Sequence, residues 1–174
     1  MNKSKLSIIF LIIIGVIYFC LFIPANLTGA KDPVMIGIFE SDEYAQYPNV
    51  IQMLTPGETT YQTIRNFVVY LHYWYGYPFY LFSALAILPV KIFGGGNWST
   101  MTSTIMLVLR QFISVLPTIL SVGILVFIQT RFKSWLKSIA LFILLLAIPA
   151  LISNNLWWHL DSLGLLSVCL VFLF

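Results

Sequence analysis

Apolar residues along this chain fall in long blocks, each predicting a helix, with polar stretches between them. The first block, 6–23, holds eighteen residues without a charge. At about 1.5 Å of rise per helical residue it is long enough for a hydrocarbon core of about 30 Å. Further apolar runs cover 67–93 (interrupted by Gly76 and Pro78), 105–128 (containing Arg110, Gln111 and Pro117), 139–152 and 163–174. The first run is longer than the apolar core of a secretory signal and lacks a good small-residue cleavage site after it, so it reads as a retained anchor. The last run ends after twelve residues, short of a span. The expected fold is therefore all-α: a polytopic membrane helical bundle, here the N-terminal portion of a longer protein. Its first transmembrane helix is 6–23, and 105–174 holds further membrane helices, the last one truncated.

Basic residues set the expected orientation. Lys3 and Lys5 precede the first run, and Arg131, Lys133 and Lys137 follow the third. Placing both clusters in the cytoplasm requires an even number of crossings between them. Runs 6–23 and 105–128 supply two, which leaves 67–93 as an embedded or re-entrant element on the outer side. The outer loop then spans 24–104, carries interfacial (juxtamembrane) helices, and shares its side with 153–162.

Within that loop, Ser41 is a candidate helix cap with Asp42 and Glu43 in the first turn. Tyr44, Tyr47, Ile51 and Leu54 recur at helical spacing with Glu43, Gln46, Asn49 and Gln52 opposite, a pattern expected of a short helix lying in the membrane interface. Pro56-Gly57 ends it, and Thr59-Thr60-Tyr61-Gln62 has the form of a capping box that opens another helix.

Composition sharpens the class. The chain is 60% hydrophobic and 9% charged, against about 25% charged for a soluble domain, which excludes an ordinary cytosolic enzyme. A net charge of +3, scattered as it is, gives no nucleic-acid footprint. Cys20 and Cys169 lie inside apolar runs and read as buried thiols. Asn26-Leu27-Thr28 and Asn97-Trp98-Ser99 are weak glycosylation sequons, and Gly94-Gly95-Gly96 reads as a flexible connection.

The acids are the most informative polar residues. Asp32, Glu40, Asp42, Glu43 and Glu58 all lie between the first two apolar runs, and Asp161 stands at the start of the last. In the expected topology every carboxylate faces one compartment. Two segments accompany them. Leu71-His72-Tyr73-Trp74-Tyr75-Gly76-Tyr77-Pro78-Phe79-Tyr80 is dense in aromatics, either an interfacial belt or one wall of a sugar or headgroup site built from His72, Tyr75 and Tyr77. Asn154-Asn155-Leu156-Trp157-Trp158-His159-Leu160-Asp161-Ser162 places His159 and Asp161 where both can point into one cavity. Arg110 is either a snorkelling or helix-bonding side chain or a partner for phosphate. No zinc spacing is present; a hard cation (Mg or Mn) between Asp42 and Asp161 is a candidate cofactor.

One helix, an outer loop with Asp42-Glu43 ahead of an amphipathic helix, Tyr-Gly-Tyr-Pro-Phe-Tyr, Leu-Arg-Gln-(x5)-Pro, a basic turn and Trp-His-Leu-Asp-Ser follow one another in an order that resembles the N-terminal part of the GT-C superfamily of membrane glycosyltransferases. The similar branch is that of the dolichyl-phosphate-mannose protein mannosyltransferases and the aminoarabinose transferases. The resemblance implies a polyprenyl- or dolichyl-phosphate sugar donor, a protein, lipid or glycan acceptor, and transfer to a hydroxyl or amine with inversion. It implies Asp42 as the base with Glu43 beside it, and Asp161 with His159 as the second acidic motif, where Leu160 stands in place of the proline frequent in relatives. It also implies a multi-pass protein of the plasma membrane (prokaryote) or endoplasmic reticulum (eukaryote), active on the outer or lumenal side, with little activity in this portion alone. Two other readings stay open: part of a transporter or flippase, and a non-catalytic membrane subunit.

Overall fold

A computed structural model of the chain describes residues 3–31, 33–69 and 73–173. The described residues form helices and turns, with no strand among them. Helix α1 (Lys3–Thr28) is followed by three short helices, α2 (Pro33–Phe39), α3 (Ser41–Leu54) and α4 (Thr60–Val68). A 3-10 turn at Tyr73–Tyr75 leads into α5 (Gly76–Gly94), and another at Gly95–Thr100 leads into α6 (Thr102–Leu109). A π-helical segment, Arg110–Val115, joins α6 to α7 (Leu116–Thr130); α8 (Trp135–Leu146), α9 (Pro149–Asn154) and α10 (Asp161–Val171) complete the chain. Ser4–Thr28, Gly76–Thr100 and Thr102–Thr130 are long and apolar enough to cross a membrane.

The π-helical segment has a local cause. Pro117 has no N–H to give the carbonyl of residue 113, and its ring crowds that carbonyl, so the preceding turn must widen. The Leu116 N–H accordingly reaches back five residues to the Gln111 carbonyl. Arg110 opens the widened turn, with its side chain directed into the protein.

The helices enclose two apolar cores. One gathers Val50 and Met53 of α3, Tyr80, Ala84 and Ile87 of α5, Ile105 and Leu109 of α6, and Trp158. The other joins Leu11 of α1, Val122 and Val126 of α7, and Phe142 and Leu146 of α8. At the foot of the second core the Ser7 hydroxyl donates to the Phe132 carbonyl at 3.3 Å, and Phe10 stacks on Trp135 at 5.7 Å. The start of α1 and the basic turn between α7 and α8 therefore share one end of the bundle. Asp42, Glu43 and Asp161 gather around the far part of α1 and the π-helical segment.

Several local expectations need correction. In α3 the inward stripe is Glu43, Gln46, Val50, Met53 and Leu54, while Tyr44 is exposed. Glu43 and Gln46, set opposite the aromatic stripe by the pattern, are thus buried as an ion-pair member and an amide, while Tyr47 and Ile51 pack partly buried against the core and the Tyr44 ring lies over Gly37 of α2. Ser41 is the first helical residue; Glu40 holds the cap position without a side-chain cap bond. The capping box of α4 forms as the motif predicts: the Gln62 N–H donates to Thr59 Oγ1 at 3.1 Å and the Thr59 N–H to Gln62 Oε1 at 3.2 Å. The run 67–93 is divided, since α4 ends at Val68 and the apolar helix begins at Gly76, whose φ of +71° marks the break. Asn26 is buried with its amide donating to the Asn155 carbonyl, which removes it as a glycosylation site, whereas Asn97 is exposed. Cys20 is exposed and Cys169 buried.

Candidate functional site

The deepest polar contact joins α3 to the widened turn. Glu43 and Arg110, 0% and 2% exposed, meet through two bonds: Nη2 to Oε2 at 2.5 Å and Nε to Oε1 at 2.9 Å. This is the two-point geometry that matches a planar guanidinium to a carboxylate. Arg110 Nη1 donates to the Asn26 carbonyl at 3.1 Å, so all three guanidinium nitrogens are engaged. Glu43 Oε1 also accepts the backbone N–H of Trp158. Burying two charges this way is tolerable because nearly every donor and lone pair is occupied.

Trp158 is itself fully buried, stacked on Phe79 at 5.2 Å, with its indole N–H donating to Ser83 Oγ at 3.0 Å. The turn that carries it is pinned from below. Asn155 accepts from Thr118 at 2.9 Å and donates to the Tyr18 hydroxyl at 3.0 Å, while its carbonyl accepts from Asn26. Ser114 donates to the Trp157 carbonyl at 2.6 Å.

Above this buried layer lies an accessible one. Asp42 is exposed in the first turn of α3, and the Tyr75 hydroxyl donates to its Oδ2 at 2.8 Å. The same hydroxyl lies 3.0 Å from His159 Nε2. His159 Nδ1 is 3.1 Å from Asp161 Oδ1, off the hydrogen-bond line, with His159 15% and Asp161 57% exposed. The His159 ring is stacked on Trp157 at 4.4 Å and meets Tyr75 edge-on at 5.0 Å. The result is a line of four polar groups: Asp42, Tyr75, His159, Asp161.

Burial, reinforced by the hydrogen bond and charge of Asp42, pushes the Tyr75 hydroxyl up to about 12. Tyr75 thus remains a neutral donor throughout the physiological range. Gln46, buried one helical turn beyond Asp42, acts on that hydroxyl at short range without a hydrogen bond of normal geometry. Burial likewise raises Glu40, with Glu43 and Asp42 adding to the rise and Arg110 opposing it.

The sequence candidates therefore separate into layers. Asp42, Tyr75, His159 and Asp161 come together at the surface. Glu43 and Arg110 lie beneath them, each bound to the other, so the guanidinium offered to a phosphate by the sequence is engaged inside the protein. Tyr77 is half-buried and packed against the core of α3, α5 and α6. His72 lies outside the described residues. Trp158, Asn155, Asn26 and Thr118 are the supporting residues that spacing did not single out; the adjacent polar pair Asn154-Asn155 was the available signal.

Among the described residues no three His, Cys, Asp or Glu side chains converge on a point that could hold a metal ion. Asp42 and Asp161 stand at the two ends of the line, with Tyr75 and His159 between them.

A groove of about 600 Å³ opens beside the line, between α5, α7 and α10. Tyr75 and Leu160 border it near the polar groups, and Phe82, Leu116, Leu120 and Leu163 make an apolar wall. A larger groove of about 770 Å³ follows α1 and α7 along Ile12, Val16, Ile119 and Phe127. It includes none of the four groups in the line. Phe112, Leu116 and Leu120 border both grooves. No protein-family model, curated protein or solved structure matches the chain.

Proposed function

We propose that the chain belongs to a membrane glycosyltransferase that moves a sugar from a polyprenyl-phosphate-linked donor to an acceptor hydroxyl or amine, with inversion, and that Asp42 is the base. The observation that carries the reading is the position of Tyr75. It is hydrogen-bonded to Asp42 and also borders an apolar groove large enough for part of a lipid chain. An accessible carboxylate at the head of a lipid-sized groove is what a reaction with a membrane-borne donor requires.

In this reading the acceptor lies against Asp42. Its O–H or N–H proton passes to the carboxylate as the acceptor atom attacks the anomeric carbon from the face opposite the phosphate. The bond from that carbon to the phosphate oxygen breaks, and the bonding pair leaves with the lipid phosphate. General-base assistance of this kind contributes about 10²–10⁴-fold. Asp42 and Glu43 take different parts: the exposed carboxylate meets substrate, and the buried one fixes the scaffold. The clustering of the basic turn with the start of α1 favours an orientation with that end in the cytoplasm and the carboxylates on the outer or lumenal side.

The test is transfer from radiolabelled polyprenyl-phosphate sugars into acceptors in membranes carrying the protein or its Asp42→Asn variant. Label that depends on Asp42 supports the reading. Equal label in both membranes removes Asp42 as base. Absence of label from folded protein, together with Asp42-dependent solute flux, replaces the reading with transport.

A further inference from the structure

The line Asp42–Tyr75–His159–Asp161 poses a problem of hydrogen accounting. Tyr75 has one hydroxyl hydrogen, and Asp42 Oδ2 at 2.8 Å and His159 Nε2 at 3.0 Å both lie within reach of it, with the buried Gln46 amide also beside that hydroxyl. The Asp161 carboxylate oxygen 3.1 Å from Nδ1 would repel a lone pair there, which places the hydrogen of a neutral imidazole on Nδ1 and leaves Nε2 as an acceptor facing Tyr75. An ionised Asp42 is the stronger acceptor and takes the hydroxyl hydrogen, leaving Nε2 unserved. A protonated Asp42 reverses the demand. Its own O–H can donate to Tyr75 Oη, and the hydroxyl hydrogen is then free for Nε2.

We propose that Tyr75 is a hydrogen-bond switch that senses the protonation of Asp42 and passes it to His159. The inference deepens the transferase reading and takes its chemistry from it. When Asp42 receives the acceptor proton, the only covalent bond formed in the line is the O–H on Asp42. The Tyr75 hydrogen turns from Asp42 to His159 without leaving its oxygen. Asp42, Tyr75 and His159 are then hydrogen-bonded in one direction, with Asp161 3.1 Å beyond His159 Nδ1, and the newly protonated carboxyl is held until product leaves. Tyr75 and His159 are positioning residues in this scheme, because they act through Asp42 and not on the substrate.

The raised Tyr75 hydroxyl fits this part, since a switch of this kind must keep its hydrogen. The other charged groups near the line are Glu43, Arg110 and Glu40. Glu43 is neutralised by Arg110, so neither competes for the Tyr75 hydrogen. Glu40 is partly buried at the start of α3.

The chain contains two histidines, His72 and His159, which makes the switch observable without any assay of transfer. In protein labelled with ¹⁵N-histidine, a His72→Gln variant identifies the His159 signals. Asp42→Asn replaces the anionic acceptor by a neutral one, so the Tyr75 hydrogen should move to Nε2 and shift that resonance upfield. The shift should vanish when Asp42→Asn is combined with Tyr75→Phe. No response of Nε2 to Asp42→Asn, or the same response with Tyr75→Phe present, overturns the switch. Where Asp42-dependent transfer is found, Tyr75→Phe should lower kcat by about 10²-fold, the low end of a general-base contribution, with KM for the donor unchanged. An unchanged kcat also overturns the proposal. Failure to find transfer sinks the glycosyltransferase reading, while the nitrogen spectra still decide the switch.

Discussion

Glu43 and Trp158 are 115 residues apart in the chain, yet the Glu43 carboxylate accepts the Trp158 backbone N–H. Asp42 precedes the first of these residues and His159 follows the second. A single buried carboxylate thus sets the distance between the two halves of the surface line, and the Arg110 guanidinium locks that carboxylate in place. Side chains one residue away from the accessible groups do the positioning, leaving Asp42 and Asp161 open.

Removing one member of the buried pair should therefore damage the fold more than the surface groups would. Glu43→Ala or Arg110→Ala leaves an uncompensated buried charge and is expected to cost about 3–5 kcal/mol, measured by thermal or denaturant unfolding in detergent. The double replacement Glu43→Leu with Arg110→Met should recover most of that loss. It should stay below the parent by about 1–3 kcal/mol, because the Trp158 N–H is left without an acceptor. Asp42→Asn should leave stability nearly unchanged. Equal loss from Asp42→Asn and Glu43→Ala would contradict the division into an accessible and a buried layer.

Gly29 offers a test of the same pair without altering a charge. A Cβ built at this position would stand 2.7 Å from Arg110 Nη1. The guanidinium cannot swing away freely, since it is bound on its other edges to Glu43 and donates from Nη1 to the Asn26 carbonyl. Gly29→Ala should break the bond to Asn26 and cost about 1–3 kcal/mol, the penalty for an unsatisfied buried donor. A compensating Arg110→Lys, with its narrower head, should relieve the clash but lose the two-point contact with Glu43, so it should not restore full stability.

The parts of this arrangement that were readable in sequence are those governed by short-range rules. Thr59 and Gln62 announce their own capping box. Asp42, Tyr75, His159 and Asp161 each stood out, by charge or by aromatic company. Their union did not, because it depends on contacts spanning 33 and 84 residues. The burial of Glu43 and Gln46 on α3 was not legible for a related reason. Tyr47, Ile51 and Leu54 do pack against the core, but a fully paired Glu43 is buried beside them while Tyr44 is exposed, and the partner that makes this possible lies 67 residues away. Nor could spacing show that Arg110 is turned into the protein by a widened helical turn.

Asn155 should prove as sensitive as a core residue. Its side chain accepts from Thr118 and donates to Tyr18, joining α7 and α1 to the turn that carries Trp158 and His159. Asn155→Ala is expected to cost about 1–3 kcal/mol. It should also broaden the ¹⁵N signal of His159, because the turn loses its anchor below. Thr118→Val removes one of these contacts while preserving shape, so its effect should be smaller. A larger effect from Thr118→Val than from Asn155→Ala would move the hub of the network from the turn to α7.

Glu40 provides a prediction in pH. Burial raises its folded-state titration above the ordinary value of 4.5, and the nearby Glu43 and Asp42 carboxylates add to the rise against the opposing pull of Arg110. For an acid raised on folding, the associated stability is fully present below the unfolded value and is lost as pH rises through the folded one. At neutral pH the ionised Glu40 is thus a net burden on the folded protein. Glu40→Gln should raise Tm at pH 7, with the advantage shrinking as pH falls and disappearing below about 4.5, where the parent's carboxyl is protonated in both states. Because Glu40 caps α3 without a side-chain bond, little capping energy is lost with its charge. A Tm difference between parent and variant that stays constant from pH 7 to pH 4 would mean that the substitution acts through packing and not through the carboxylates at the start of α3.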